Sequence, residues 1–438
     1  MKTLKTIRWP GALLFAALGA MSAAAVAGPA IEHWTAPSGA RVYFVENHAL
    51  PMLDVQVDFP AGSANDPAGK SGLAALTHTL LDLGVEGLDE NGVASRLADL
   101  GARISGGVDL DRASAGLRTL SAPETREAAL EVFRAVLTTP KFPADVFERE
   151  QARAIAALKE SLTRPGTIAS RAFWAALYPN HAYGRNATPE SISAIARGDL
   201  ERFYRERYGA GSAVITLVGD IGRDEAEALA RKLTAGLPAG ERPPAPSGAP
   251  GLPTGGERRL AHPAAQAHVL IGLPAAKRGD PDFFALQVGN YTLGGGGFVS
   301  RLMSEVREKR GFAYSVYSAF QPLAQPGPFQ IGLQTRKEQA NEALAVTRDV
   351  LARFLAEGPS DEELLAARKY LSGSFPMRLD SNSKLLDNVA MIGFYGLPLD
   401  YLDSYVEKIE KVTVEDVRAA FARHVKPGNL VTVVVGGE

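Results

Sequence analysis

The chain of 438 residues contains the same order of short sequence matches twice. Residues 199–219, DLERFYRERYGAGSAVITLVG, align without a gap with residues 416–436, DVRAAFARHVKPGNLVTVVVG. Upstream, GLRT at 116–119 recurs as GLQT at 332–335, at nearly the same offset. Several matches in one order indicate two copies of one structural unit. The fold therefore has to be built from two similar domains.

A segment rich in proline, glycine and small residues separates the two copies. Residues 238–258 contain the run PAGERPPAPSGAPGLPTGG, which cannot bury enough apolar surface to fold alone. We expect one domain at 30–237 and a homologous one at 259–438. Each copy reads as strands, a helix, more strands, helices and a last strand. This order predicts an α+β fold, in which each domain is an antiparallel sheet with helices packed on one face.

The first residues resemble a targeting segment. Three basic residues among the first eight are followed by an apolar, alanine-rich run at 11–26, which leads into Ala-Val-Ala at 25–27. This pattern predicts a cleavable signal peptide at 1–27 and a periplasmic protein without stable membrane insertion after cleavage. An uncleaved anchor is the alternative, although the run is short for a bilayer span.

Composition excludes several functional classes. The formal net charge is -2 and no basic run occurs, which argues against nucleic-acid binding. Cysteine is absent, so disulfides, thiolate metal sites and cysteine nucleophiles are all excluded.

The stretch 294–320 combines a glycine run, a helix, a stop and a strand. Apolar residues fall at helical spacing, at Val299, Leu302, Met303 and Val306. Gly311 follows a basic last turn and can take the left-handed conformation that ends a helix. A strand is then predicted by the alternation of Phe312, Tyr314, Val316 and Phe320. Arg307 thus lies in a last helical turn and Tyr314 at the start of a strand, two rigid elements able to aim a guanidinium and a phenol at one point.

Ordinary structural roles are the alternatives for these features. An arginine in a last turn can simply interact with the helix dipole, and a strand tyrosine is often a packing residue. The glycines at 294–297 are not a phosphate loop, because no Lys-Ser/Thr pair follows them. They permit either a tight entry into the helix beginning near Phe298 or a close approach of the backbone to a peptide.

The run SRLMSEVREKRGFAYSVYS at 300–318 resembles the signature of the second domain of the M16 peptidases, the family of pitrilysin, insulinase and the mitochondrial processing peptidase. The resemblance covers essentially the whole chain after residue 27. It implies the LuxS-like metallohydrolase fold. It also implies that Arg307 and Tyr314 bind a peptide and face the metal site of a different domain.

Active members of this family carry His-x-x-Glu-His on the helix after the first two strands, where two histidines hold zinc and the glutamate is the base. Laid on this pattern, Ala75 and Thr79 replace the two histidines and His78 replaces the base. Glu150 fits the outer glutamate of the later helix, but Ala157 stands where the third ligand belongs. Alanine has no donor atom and threonine is a poor zinc ligand. The resemblance therefore predicts that this chain binds no metal or other cofactor.

His78 and Asp82 lie one turn apart and share a helical face with the lost ligand positions, which raises the question of a different metal site. Two neighbouring ligands without a third are more typical of a capped, solvated histidine and a surface acid. We favour that interpretation.

Some M16 enzymes are pairs of unlike subunits, one holding zinc and the other supplying the Arg/Tyr pair. This chain resembles the second kind, which is inactive alone and needs a homologous partner with His-x-x-Glu-His and bound zinc. Both residues would act in trans, at the zinc site of the partner. Tyr314 would stabilise the peptide carbonyl oxygen as it gains negative charge, as a catalytic residue, and Arg307 would bind and position the peptide. The alternative is a non-catalytic protein, either a peptide-binding homodimer or an assembly subunit of the respiratory-core type.

Overall fold

The computed structural model describes residues 29–240 and 248–436. The predicted signal peptide at 1–27 lies outside these residues, as does the part of the predicted linker at 241–247. None of the helices within the two described segments combines the length and apolar character that a bilayer crossing requires.

The strands of the described chain are short to medium in length. In chain order they are β1 Glu32–Thr35, β2 Arg41–Glu46, β3 Met52–Phe59, β4 Gly84–Val85, β5 Leu88–Asp89, β6 Arg103–Val108, β7 Ala113–Leu120, β8 Val214–Gly219, β9 Gly256–Leu260, β10 Gln266–Pro274, β11 Ala313–Phe320, β12 Pro328–Arg336 and β13 Val431–Val435. The strand β9 begins at Gly256, so the last residues of the predicted linker 238–258 belong to a sheet rather than to a flexible connection.

The helices fall between these strands in both copies. They are α1 Leu73–Thr79, α2 Glu90–Asp99, α3 Pro123–Thr138, α4 Ala144–Ser161, α5 Pro165–Leu177, α6 Pro189–Ser193, α7 Arg197–Arg207, α8 Arg223–Thr234, α9 Phe283–Asn290, α10 Ala340–Glu357, α11 Asp361–Ser374, α12 Asn382–Tyr395, α13 Tyr405–Lys411 and α14 Val414–His424. Their ends follow local chemistry. Proline opens α3 and α5, where a missing N–H costs nothing, and Gly396 ends α12 with a φ of 66°.

Two large sheets organise the described residues, which confirms the α+β class. The first sheet has the order β1-β2-β8-β3-β7-β6 and the second the order β11-β12-β10-β13-β9. The prediction was of antiparallel sheets. Each sheet instead contains one parallel pair, β2 with β8 and β9 with β13. The last strand of each copy inserts between two earlier strands that run in opposite directions. It must therefore be parallel to one of them.

The two copies exchange one helix each across the sheets. Helix α5 from the first copy packs on β10 and β13 of the second sheet, and α12 from the second copy packs on β2, β3 and β8 of the first. Glycines make this approach possible. A Cβ on Gly272 would lie 2.8 Å from the ring of Phe173, and a Cβ on Gly393 would lie 2.7 Å from the ring of Tyr43.

Each sheet is consequently covered on both faces. Its own helices pack on one face, where the buried residues include Leu117 and Phe133 in the first copy and Ile331 and Phe421 in the second. The crossed helix packs on the other face. The expectation that the helices of each copy pack on one face holds for its own sheet. The crossed helix on the other face was not predicted, because sequence periodicity does not show that a helix leaves its own copy.

A carboxylate joins the two copies at one point of their contact. Asp111, in the turn between β6 and β7, accepts hydrogen bonds from the hydroxyl groups of Tyr183 and Tyr395 and from the backbone N–H of Ala324. The Tyr395 bond measures 2.9 Å and the Ala324 bond 2.8 Å. Since Tyr395 lies on α12 and Ala324 between β11 and β12, Asp111 fixes the first copy against two elements of the second.

Candidate functional site

The three positions that correspond to zinc ligands carry side chains that cannot hold the ion. Ala75 and Thr79 are both exposed on α1, and Ala157 is exposed on the neighbouring helix α4. Two methyl groups and one hydroxyl replace two imidazoles and a carboxylate. The side chains present at these three positions do not fit a zinc ion.

His78 is occupied by the backbone of the first sheet. Its Nε2 atom donates to the carbonyl oxygen of Ser114 at 2.8 Å, and a Cβ on Gly106 of the edge strand β6 would lie 3.0 Å from that nitrogen. Burial lowers the pKa of His78, which favours the neutral ring, and burial raises the pKa of Asp82. The expected solvated histidine is therefore packed beneath a strand. Within residues 29–240 and 248–436, no third ligand completes a metal group with these two.

Glu150, the outer glutamate of the family pattern, is held by arginines. Its carboxylate accepts from Arg149 Nε at 2.8 Å and from Arg153 Nη1 at 2.7 Å, and Arg149 also donates to Glu90 at 3.0 Å. Cations next to a missing metal site are consistent with the loss of the ion, because a bound zinc would repel them.

The glycine run of the second copy leads into an irregular helical segment. Tyr291–Gly295 forms a π-helical turn, Gly297–Val299 a separate 3-10 turn, and Met303–Glu308 a second π-helical stretch. The predicted buried stripe is correct for Leu302, Met303 and Val306, all of which are buried, but wrong for Val299, which is 71% exposed. Since the 3-10 turn ends before the main helix begins, Val299 does not share its face.

The stop at Gly311 has the predicted geometry. Gly311 has a φ of 63°, in the left-handed region, and its N–H donates to the Arg307 carbonyl oxygen at 2.8 Å. Before this stop, Glu305 accepts from Lys309 Nζ at 2.7 Å and from Arg310 Nη1 at 2.6 Å. These two hydrogen bonds lower the pKa of Glu305 to about 2. Glu305 therefore pairs with both cations at the end of the helix and offsets one of their two charges.

Tyr314 lies in a β-bulge on an edge strand. Ala313 of β11 pairs with Thr335, and the next paired residue is Ser315 with Gln334, so Tyr314 is the extra residue of the strand. Its side chain is 81% exposed. The predicted alternation placed Tyr314 on one face with Val316, which is buried, and this was wrong because the bulge shifts the phase. Bulges commonly redirect a side chain at a sheet edge, as this one does.

Arg307 and Tyr314 are in direct contact, together with a third residue that the sequence did not reveal. The guanidinium carbon of Arg307 lies 4.8 Å from the ring centre of Tyr314 and 4.8 Å from that of Phe298. Both distances lie within the range of cation–π contacts, which reaches about 6 Å. Phe298 is 62% exposed and follows the glycine run. An exposed aromatic residue beside a glycine loop was the available signal, and it is a weak one.

The N–H groups of Arg307 are free among the described residues. The side chain has no ion-pair or hydrogen-bond partner there, in contrast to Lys309 and Arg310. A planar guanidinium with five donors suits carbonyl and carboxylate oxygens, and the exposed phenol beside it can also donate a hydrogen bond. The arrangement can therefore bind the oxygen atoms of a peptide.

The sequence and the fold are both similar to those of known proteins. Residues 194–371 match a family model described as the peptidase M16 inactive domain. The whole fold is similar to the crystal structure of a peptidase M16 inactive domain from Pseudomonas fluorescens, with a TM-score of 0.90 and 39% sequence identity over 93% of this chain and 98% of that one. The chain belongs to the M16 peptidase family. The identification made from residues 300–318 is confirmed.

Other relatives include a protein named as a non-peptidase homolog and proteins named as uncharacterised zinc proteases. A protein of Helicobacter pylori named a non-peptidase homolog is 27% identical over 91% of this chain and 92% of its own length. An uncharacterised zinc protease of Mycobacterium tuberculosis is 33% identical over 60% of this chain and 61% of its own length. This M16 chain is thus a homologue of the family's inactive domains, in agreement with its altered ligand positions.

Proposed function

We propose that this M16 protein is a subunit without its own zinc, which binds peptides through Arg307 and supplies Tyr314 to a homologous, zinc-bearing partner. One observation carries the proposal. Arg307 and Tyr314 are present and in contact, whereas Ala75, Thr79 and Ala157 have removed the metal ligands of the same chain. A chain that served only as a scaffold would have no reason to retain the pair alone.

Arg307 is the peptide-binding residue in this proposal. Its guanidinium is fixed by aromatic contacts while its N–H groups remain open among the described residues. Charged hydrogen bonds to oxygen are stronger than neutral ones, and the planar donor set favours two oxygens in one plane. Arg307 therefore orients the peptide and contributes to substrate and transition state alike.

Tyr314 acts at the bond that is cut. As a peptide carbonyl is attacked, negative charge grows on its oxygen, and a phenol placed there stabilises the transition state more than the substrate. The bulge in β11 leaves the Tyr314 side chain exposed and able to reach a carbonyl outside this chain. The attacking water and its metal belong to the partner.

We place the protein in the periplasm within the same proposal. The support is the basic start, the apolar run and the small residues at 25–27, which together fit a cleavable signal peptide. Mass spectrometry of the protein isolated from its host should find a chain that begins at Gly28. A retained first segment would instead indicate an anchored subunit.

A non-catalytic role is the second candidate, and one observation favours it. The Helicobacter pylori relative that matches 91% of this chain is named a non-peptidase homolog. In that case the Arg307 and Tyr314 surface would hold a peptide or a partner without cleavage. The two functions differ in whether any complex that contains this chain hydrolyses peptides.

The first prediction tests the role of Tyr314 in the mixed complex. The chain is co-expressed with the M16 homologue of its own genome that carries His-x-x-Glu-His, and hydrolysis of fluorescein-labelled casein peptides is followed. Tyr314→Phe should lower kcat about a hundredfold to a thousandfold with little change in KM, because an oxyanion donor is lost. Arg307→Ala should mainly raise KM.

Tyr317→Phe is the matched control. Tyr317 lies on the same strand, is exposed, and its hydroxyl accepts from Gln330 Nε2 at 2.8 Å. We expect the complex that contains Tyr317→Phe to have a kcat close to the wild-type value. Equal kcat values for the Tyr314→Phe and wild-type complexes would reject the proposed catalytic role, as would stoichiometric zinc and peptide hydrolysis in the purified chain alone.

A further inference from the structure

We infer that Phe298 is a positioning residue for Arg307, forming an aromatic clamp with Tyr314 that holds the guanidinium between two rings and leaves its N–H edge open to a peptide oxygen. The inference rests on the proposed function for the identity of the ligand. The clamp itself follows from the geometry of Phe298, Arg307 and Tyr314 alone.

The exposure of Phe298 has no packing explanation in the described residues. Its side chain is 62% exposed, and it belongs to none of the hydrophobic clusters of the protein. The adjacent Val299 is also exposed but makes no such contact with a cation. The distinguishing contact of Phe298 is the face of its ring against the Arg307 guanidinium, at 4.8 Å.

A clamp made of rings fixes the cation without using its donors. An arginine held by carboxylates donates its N–H groups to them, as Arg310 does to Glu305, and fewer donors remain for a ligand. Aromatic rings instead attract the guanidinium through its flat faces. Because the two rings contact Arg307 without accepting its N–H groups, its five donors stay open to a ligand.

The end of α9, from which the Phe298 loop starts, is tied to β11, the strand that carries Tyr314. Asn290 Nδ2 donates to the Ser318 carbonyl oxygen at 3.1 Å, and the Ser318 hydroxyl donates to Asn290 Oδ1 at 2.7 Å. At the far end of the loop, the Ser300 hydroxyl donates to the Gly297 carbonyl oxygen at 2.7 Å. Gly297, the residue before Phe298, has a φ of 60°, in the left-handed region that glycine adopts without strain.

These connections make the clamp preorganised. Its two rings come from a glycine loop and a bulged strand, and the cation comes from the helix between them. Since the ring positions are set before a peptide arrives, little conformational entropy of the Arg307 side chain remains to be lost on binding. Phe298 therefore acts on substrate binding through Arg307 and does not touch the reacting atoms.

The first test examines the clamp in the complete chain without any partner or peptide. Arginine side chains are labelled with ¹⁵N, and the Nε–H signal of Arg307 is assigned by its disappearance in Arg307→Lys. Phe298→Leu should shift this signal toward the position of exposed arginines and increase its mobility, because one shielding ring is lost. Phe298→Trp should restore a shielded, ordered signal, and Val299→Ala should change nothing.

The second test measures binding of fluorescein-labelled casein peptides to the complex with the zinc-bearing homologue. Phe298→Leu should weaken binding about twofold to fivefold, the range of an exposed cation–π contact, and Phe298→Trp should recover it. The value of kcat should stay unchanged, which separates positioning from the role of Tyr314.

The outcomes distinguish this inference from the proposed function. An unchanged Arg307 signal in Phe298→Leu overturns the clamp, whatever the enzyme activity. If the Arg307 signal shifts as expected in the chain alone, the clamp is supported. If Arg307→Ala nevertheless leaves peptide binding by the complex unchanged, Arg307 is rejected as the peptide-binding residue.

Discussion

At the scale of single residues, the site depends on which charges are paired and which are left free. Three basic side chains occupy the end of the helix before Gly311, yet two of them, Lys309 and Arg310, bind Glu305. This pairing offsets part of the positive charge close to Arg307, because one carboxylate is shared by two cations. Arg307 itself is stabilised by rings rather than by acids.

The pKa of Glu305 gives a prediction at this scale. Because the folded pKa is lowered from 4.5 to about 2, the carboxylate stabilises the fold above pH 4.5, and this contribution is lost as the pH falls toward 2. Glu305→Gln should reduce the free energy of unfolding at neutral pH by about 1–2 kcal/mol. Urea unfolding at a series of pH values should show the difference shrinking below pH 4.5.

Glu308→Gln serves as the control, because Glu308 is exposed in the same turn. It should unfold like the wild type at each pH. The cause assigned to the lowered pKa of Glu305 would be contradicted if the difference in unfolding free energy between wild type and Glu305→Gln stayed constant down to pH 2.

At the scale of elements, local sequence predicted the parts of the site but not their irregularities. The Gly311 stop and the buried positions of Leu302 and Val306 followed from spacing. The bulge at Tyr314 did not, since it depends on how β11 pairs with β12 rather than on alternation within β11. The contact with Phe298 was equally hidden, because it requires the loop to be tied to a strand that follows later in the chain.

The glycine run gives a prediction at the element scale. A Cβ on Gly294 would lie 2.5 Å from the backbone nitrogen of Ser318 and 2.7 Å from a methyl group of Leu302. Gly294→Ala should therefore push the loop away from β11 and lower stability by about 1–3 kcal/mol, the usual cost of overpacking. Thermal unfolding measures the loss, and the Arg307 Nε–H signal reports the displaced clamp.

Gly198→Ala is a suitable comparison for Gly294→Ala. Gly198 lies in the first turn of α7, and a Cβ there would meet no heavy atom within 4 Å. This substitution should leave stability unchanged or raise it by up to about 1 kcal/mol. If both variants behaved alike, the close approach of the loop to the strand would not be a constraint.

At the scale of the whole molecule, the sequence duplication predicted two similar sheets, and the structure contains them. It could not predict the exchange of α5 and α12, because both helices have the apolar periodicity of any helix on a sheet. The parallel pair in each sheet was missed for a related reason. Pairing between strands distant in sequence leaves no local pattern.

Asp111 gives a prediction at this scale. Asp111→Ala removes the acceptor for two tyrosine hydroxyls and one backbone N–H at the contact between the copies. We expect a loss of about 2–4 kcal/mol, because partly buried donors are left without partners. Hydrogen exchange should accelerate in α12 and in the segment between β11 and β12, while α3 remains protected.

The exposed Asp403, replaced by alanine, provides the comparison. It should not alter exchange in either region. Uniform acceleration throughout the Asp111→Ala protein would show that the residue supports the fold in general and does not act as a clasp between the copies.

The crossed helices have a consequence for how a peptide can be enclosed. Because one helix of each copy packs on the sheet of the other copy, the two copies are packed together as one body. If Arg307 binds a peptide as proposed, the outer side of that peptide would stay open to solvent until a separate molecule covers it.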